Sequence, residues 1–407
     1  MILFLHNRYR TTGGEERTVE DLMRVVREQL DEPAELLIRS SSELPRARAA
    51  VGLLRGGLDE DDVFRAVRLT GARIVHAHNL HPTLGWRALA AARAAGARVV
   101  LHLHQYRLVC AIGVCYTRGA ECTRCHGRNT LPGVRLNCRA SLPEAAAYGL
   151  ALSLWQQRLV GQADAIAVPS LFARERLRAL GAPLPPDRVH VLAPPVPALA
   201  QPDPPCEPAI GARGAEAAAG AAAEPAAPPS SSAAEPAALP SGSGYALVVS
   251  RLAPEKGVDV AIAACRLARL PLVVAGEGPE REALQGLAGD GDVRFVGRVD
   301  DTELRRLRAG ARLALVPSRS SETFGLAAAE AMAAGLPVAA SRSGALPELV
   351  EESGLATPGD AEALAAAIAR VSADPSAGPR ARARARALCS PQVVARGLAD
   401  IYERAVA

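Results

Sequence analysis

Arg251 and Lys256 stand five positions apart in VVSRLAPEKGVD, between one apolar run and the start of a helical stretch. Two cations beside a helix N-terminus suit a diphosphate, because the exposed backbone N–H groups and the helix dipole both favour an anion. Alone, such a pair reads as solvated surface charge. Further along, SRSSETFGLAAAEAMAAGLPVAAS places Glu322 in a loop, Phe324, Gly325 and Leu326 at the start of a helix, and Glu330 within it. The first N–H groups of a helix are free to meet phosphate or hydroxyl oxygens. Ionised carboxylates only accept hydrogen bonds, so each Glu can bind vicinal hydroxyls, which hexoses and ribose both present. Glu330 lies among Leu326, Ala327, Ala331 and Met332, and burying it there without a partner would be costly.

The first half of the chain carries a second group of such residues. HNRYRTTGGEER holds Gly13 and Gly14 at the start of a helix, where glycine forms a tight turn or lets a ligand approach the backbone. ARIVHAHNLHPTLG contains His76, His78 and His81, and RVVLHLHQYRLVC contains His102 and His104. Most of these fit a structural histidine; His104, at the end of a strand run, is the one placed for chemistry. Cys110, Cys115, Cys122, Cys125 and Cys138 crowd into one short segment. Cys110, Cys122, Cys125 and Cys138 could form a closed tetrahedral zinc site, with Cys115 and His126 as spare ligands. Free thiols and disulfides remain the alternatives, and a closed set has no open position for catalysis.

Positioning these residues requires strands. Continuous apolar runs at ILFLH, ELLIR, RIVHAH, RVVLHL and ADAIAV, and again at YALVVS, LPLVVAG, DVRFVG, RLALVPS and LPVAAS, indicate strands buried on both faces, as in parallel sheets covered by helices. Between them, Gln201 to Gly244 is rich in Ala, Pro, Ser and Gly and reads as a disordered linker. The expected fold is α/β: two Rossmann-like, doubly wound domains facing across a cleft, with ligands at the carboxyl ends of the strands. Lys and Arg number 47 against 43 Asp and Glu, a net charge of +4, which implies no general nucleic-acid surface. The apolar start, Met1 to Leu5, is too short for a signal or a span, and no later run reaches roughly 18 apolar residues. The expectation is a cytoplasmic protein, at most peripheral at the inner face of the membrane.

SRLAPEKG, VVAGEGPER, VRFVGRV, the two glutamates with seven residues between them, EAMAAGLPV and GALPELV stand in the order found in retaining glycosyltransferase family 4, which has the GT-B fold. The chain resembles that family over nearly all of its second domain. The HN-Y-GGE start, the HAHN segment and the cysteine loop are similar to bacterial surface-polysaccharide members. The resemblance implies that Arg251 and Lys256 neutralise the donor diphosphate, Glu322 holds hydroxyls of the transferred sugar, and Glu330 binds the donor ribose. It places the backbone at Phe324, Gly325 and Leu326 beside sugar and phosphate, Gly14 across the cleft from the phosphates, and His104 near the reacting sugar. Ala345 departs from the pattern, since many relatives carry a second glycine after Gly344.

The expected organisation is an acceptor-side domain over 1–200 with a cysteine loop at 107–139, the linker at 201–244, a nucleotide-sugar domain over 245–390, and a C-terminal helix over 391–407 packing back on the first domain. No catalytic metal is expected, and structural zinc is the only metal in view. The expected partners are a UDP- or GDP-sugar and a sugar, lipid-linked or small-molecule acceptor. A GT-B nucleotide-sugar epimerase or hydrolase and a non-catalytic scaffold compete with this reading. A dinucleotide oxidoreductase fits poorly, because no GxGxxG follows the first strand of either half.

Overall fold

The computed structural model describes residues 1–8, 13–41, 43–200 and 244–407. Residues 201–243, nearly all of the expected linker, lie outside the described residues, as do 9–12 of the first glycine loop. Strands β1 (Ile2–Arg8), β2 (Ala34–Ser40), β3 (Ile74–Ala77), β4 (Arg98–His102), β5 (Tyr116–Thr117), β6 (Ala120–Glu121), β7 (Ala165–Val168) and β8 (Val189–Val191) belong to the first half. The second half contributes β9 (Tyr245–Val249), β10 (Leu272–Ala275), β11 (Val293–Gly297), β12 (Ala311–Val316), β13 (Val338–Ser341) and β14 (Leu355–Ala356).

These strands build two parallel sheets, ordered β2-β1-β3-β4-β7-β8 and β11-β10-β9-β12-β13-β14, plus the small antiparallel hairpin β5-β6. Each sheet order reverses once, between β1 and β3 in the first domain and between β9 and β12 in the second. Open α/β sheets bind ligands outside the carboxyl ends of their strands at such a reversal. The loops leaving β9 and β12 are those carrying Arg251, Lys256 and Glu322.

Period-two alternation explains the histidines. His76 of β3 pairs in register with Val100 of β4, so His76, His78, His102 and His104 fall on one face of the sheet. The C-terminal helix Pro391–Val406 covers that face from the far end of the chain, burying Val394, Leu398, Ile401 and Tyr402 against Ile2, Phe4, Val19 and Leu22. The second domain packs its own core on both faces of its sheet.

Candidate functional site

The loop after β9 runs into a short helical turn, Pro254–Lys256, and then the helix Val258–Ala268. Lys256 Nζ donates to Glu322 Oε1 at 2.7 Å, and Ser318 Oγ donates to the same oxygen at 2.6 Å. Burial would raise the Glu322 carboxyl, but Lys256 and the Ser318 hydroxyl outweigh it and hold it below the usual carboxylate range. Arg251 is 56% exposed and pairs with Glu255. The Glu255 carbonyl accepts from Arg319 N at 2.8 Å and Ser320 N at 3.2 Å, tying the loops after β9 and β12 together.

Gly325, at φ +101°, caps the helix Leu326–Ala333 in a left-handed conformation. That geometry turns the backbone from Phe324 to Leu326 sharply into the cleft. Gly344, at φ +61°, lies under the same loop; a Cβ there would meet the Glu322 backbone N and O at 2.3 Å. Its neighbour Ala345 has an ordinary φ of −82° and donates its N–H to the Glu322 carbonyl at 2.8 Å. The alanine is therefore harmless here, and only Gly344 requires glycine.

Glu330 has found the partner its burial demanded. One oxygen accepts from Arg308, and the other lies 3.3 Å from Arg17 Nη1 of the first domain. Arg17 also pairs with Asp301 at 2.5 Å. None of Arg17, Arg308 and Ser318 carried a sequence signal, since each is an ordinary polar residue that meets its partner only through the fold.

The first domain meets this loop at several points. Gly14 opens the helix Gly14–Gln29, and a Cβ on it would lie 3.4 Å from Leu326 Cδ2, so the starts of two helices face each other across the cleft. Thr323 Oγ1 donates to the His104 carbonyl at 2.9 Å, and Ser170 Oγ donates to the Thr323 carbonyl at 2.7 Å. Glu348 accepts from the N–H groups of Leu171 and Phe172 at 3.1 and 2.6 Å, the usual place for an anion at a helix start. The structure thus joins Lys256 and Glu322 directly, reaches His104 through Thr323, and sets Gly14 against Leu326. Arg251 and Glu330 stand apart, each held by another partner.

His104 is half-buried and shares a proton with His78, Nε2 to Nδ1 at 2.8 Å. Below it, His102 and His76 are joined at 3.2 Å, and His76 meets the Tyr402 hydroxyl at 2.8 Å. Burial holds all four imidazoles below the usual histidine range. The ring nitrogens of His76, His78 and His102 lie within 4.8 Å of one another. Their rings are stacked, with centroids 4.5 to 5.4 Å apart, and His76 already spends both nitrogens on hydrogen bonds, so the cluster is packing rather than a metal centre. Glu15, Asn79, His81, Gln105 and Arg107 line a cavity beside His104.

Cys110, Cys115, Cys122, Cys125 and Cys138 line a common cavity with Ala111, Ile112 and Leu136. Cys138 Sγ contacts Thr117 Oγ1 at 3.8 Å and Cys125 Sγ the Thr130 carbonyl at 3.9 Å. Among the described residues, the sulfurs ring the cavity without three of them lying within 4.8 Å of one another. Among the described residues, no helix is long and apolar enough to cross a membrane.

A cleft between two such sheets, lined by the loops of both reversal points, is the architecture of the GT-B glycosyltransferases. Residues 7–195 match the model of the glycosyl transferase 4-like domain, and residues 232–388 that of glycosyl transferases group 1. The chain carries both domains of a GT-B glycosyltransferase. Among curated relatives, the amylovoran biosynthesis glycosyltransferase AmsK of Erwinia amylovora is 38% identical over 31% of this chain and 35% of its own length. The O-antigen chain mannosyltransferase B of Escherichia coli is 37% identical over 31% of this chain and 36% of its own. The aligned part therefore spans about a third of these relatives. Among solved structures, Anabaena HepE in complex with UDP covers 98% of both chains with a TM-score of 0.60 and 17% identity. Sucrose-phosphate synthase of Thermosynechococcus elongatus covers 99% of this chain and 98% of its own, with a TM-score of 0.64 and 19% identity. These two likenesses are of fold.

Proposed function

We propose that the protein transfers a sugar from a nucleoside diphosphate donor to an acceptor hydroxyl with retention of anomeric configuration. The observation that carries this reading is the Lys256–Glu322 pair, set beside a helix start at the sheet's reversal point. Departure of the nucleoside diphosphate leaves positive charge on the sugar and negative charge on the leaving phosphate. Arg251 and Lys256, now paired with Glu255 and Glu322, become donors to that phosphate when it binds, together with the N–H groups from Phe324 to Leu326, and so stabilise it electrostatically.

Glu322, held ionised by Lys256 and Ser318, accepts from hydroxyls of the transferred sugar. Glu330 accepts from the ribose hydroxyls, and Gly14 lets the first domain's helix start approach the phosphates. The cavity beside His104 receives the acceptor end of the reaction, with His104 positioning the sugar. Attack is from the face the phosphate leaves, and the departing phosphate takes the acceptor proton, so Glu322 is not a covalent nucleophile. HepE is crystallised with UDP and with UDP-glucose, and two curated relatives are named for amylovoran biosynthesis and for the O-antigen chain. The first supports a uridine nucleotide donor and the second a saccharide acceptor; a guanosine donor and a lipid-linked or small-molecule acceptor are the alternatives.

A panel of nucleotide sugars scored for thermal stabilisation tests the reading. One base and sugar should raise the melting midpoint well above the rest, and that compound should be consumed only slowly without an acceptor. No stabilisation by any member would refute it, and rapid isomerisation or hydrolysis of the donor would favour the epimerase alternative.

A further inference from the structure

The hairpin β5-β6 has only two paired positions, Tyr116 with Glu121 and Thr117 with Ala120. A two-stranded ribbon of that size does not hold itself together in water. Its base is made of the thiol cluster. Cys115 precedes β5 and Cys122 follows β6, with Cys122 N donating to the Cys115 carbonyl at 2.7 Å. Cys138 reaches the hairpin through Thr117, and Cys125 is buried one turn further on.

The hairpin also extends to the other domain. Glu121 accepts from Arg176 and from Ser321 Oγ, and Arg176 Nη2 lies 3.1 Å from the same hydroxyl. Ser321 is buried and directly precedes Glu322. The last residue of a ribbon too short to stand alone therefore holds the loop that carries the site's carboxylate.

We propose that Cys110, Cys122, Cys125 and Cys138 bind one thiophilic divalent ion of the zinc class, and that this ion staples the hairpin so that Glu121 holds Ser321 and thereby positions Glu322. The four ligands come from three separate stretches of the 107–139 loop, so one ion would tie those stretches to one another at the hairpin's base. Each thiol gives its proton to solvent as its sulfur closes in on the ion, and the Cys110–Cys115 hydrogen bond and the weak contacts to Thr117 and Thr130 give way to metal–sulfur bonds. Cys115 stays outside the set as a neighbouring thiol. Glu121 is a positioning residue, since it touches Ser321 and not the substrate. Only the purpose of holding Glu322 rests on the proposed donor site.

The full chain, purified without chelator, should contain one zinc per molecule by plasma mass spectrometry. Stripping it should speed amide exchange at least tenfold in 116–122 and also in 318–323, and adding zinc back should restore both. Glu121→Ala should keep the zinc and the response of 116–122 while losing that of 318–323, and Glu121→Gln should keep part of it. Cysteine variants that fail to fold do not blur this result, because chelation and zinc return act on the native chain. Metal-free protein, or zinc whose removal leaves the hairpin unchanged, overturns the metal site. An unaltered response of 318–323 in Glu121→Ala overturns the coupling. Failure of every nucleotide to bind would sink the donor assignment and leave these readings intact.

Discussion

Lys256 Nζ lies 2.7 Å from Glu322 Oε1, although 66 residues separate them in the chain. Their side chains are 27% and 17% exposed, so the pair is largely withdrawn from water. Removing one member leaves the other as an uncompensated charge, which costs more than the pair itself contributes.

Lys256→Ala should therefore destabilise the second domain by about 3 kcal/mol. Adding Glu322→Gln should recover part of that loss, because a neutral amide needs no counter-charge. Denaturant unfolding of the two variants checks the order. A double variant less stable than Lys256→Ala would show that Glu322 is not the group left unpaired.

Gly344→Ala should be far worse than its chemistry suggests. The new methyl would meet the Glu322 backbone at 2.3 Å from a left-handed φ of +61°, and nothing flexible is there to yield. A loss of about 3 kcal/mol or more is expected, whereas Ala345→Gly should cost about 0.5 to 1 kcal/mol. Thermal unfolding of both separates the two positions, and equal losses would contradict the steric account.

Much of this was legible from residue types. The apolar runs located ten strands, and the loops after β9 and β12 bring Lys256 to Glu322, while Arg251 and Glu330 are held by other partners. What escaped were β5, β6, β8 and β14, none longer than three residues and all too short for any periodicity. The pairing of Arg17 with Glu330 escaped as well, since they stand 313 positions apart and an arginine on a helix usually faces solvent. The histidines were read one by one, and only the register of β3 on β4 shows them as a single column. The hold of Glu121 on Ser321 likewise depends on how the two domains sit, which no local pattern encodes.

Acid should weaken the first domain already in the range where unfolded histidines take up protons, with Asp21, raised by burial to about 6, opposing only part of the loss. Burial lowers His76 to about 3 and lowers His81, also facing Arg107 and Arg139, to about 4; His78, His102 and His104 are lowered too. These groups stay neutral when folded but take up protons near pH 6.5 when unfolded, so stability falls as pH drops through 6.5 toward the folded values. Each histidine that stays neutral costs about 2 kcal/mol at pH 5. The melting midpoint should fall steeply between pH 7 and 5, and a flat profile would contradict the buried column.

Truncation before Val393 should unfold the first domain, not the second. It strips Val394, Leu398, Ile401 and Tyr402, which are 1, 0, 2 and 3% exposed, from the core they share with the first domain's sheet. At roughly 1.5 to 3 kcal/mol for each buried side chain, the loss is about 6 to 12 kcal/mol, comparable to a domain's whole stability. Tyr402→Phe should cost only about 1 kcal/mol, the bond to His76. Limited proteolysis of the truncated chain should remove the first domain and spare the second.

The donor assignment is tested most directly by calorimetric titration of UDP and GDP into the intact protein and into Arg251→Ala. Arg251 is 56% exposed, so its removal should leave unfolding within about 0.5 kcal/mol of the parent, and any change in binding reports on the site itself. One of the two nucleotides should bind the parent, and Arg251→Ala should weaken it by about tenfold to a hundredfold, the loss of one charge-assisted contact of about 1.5 to 3 kcal/mol. Unchanged affinity in a folded Arg251→Ala protein, or no binding of either nucleotide to the parent, would contradict it.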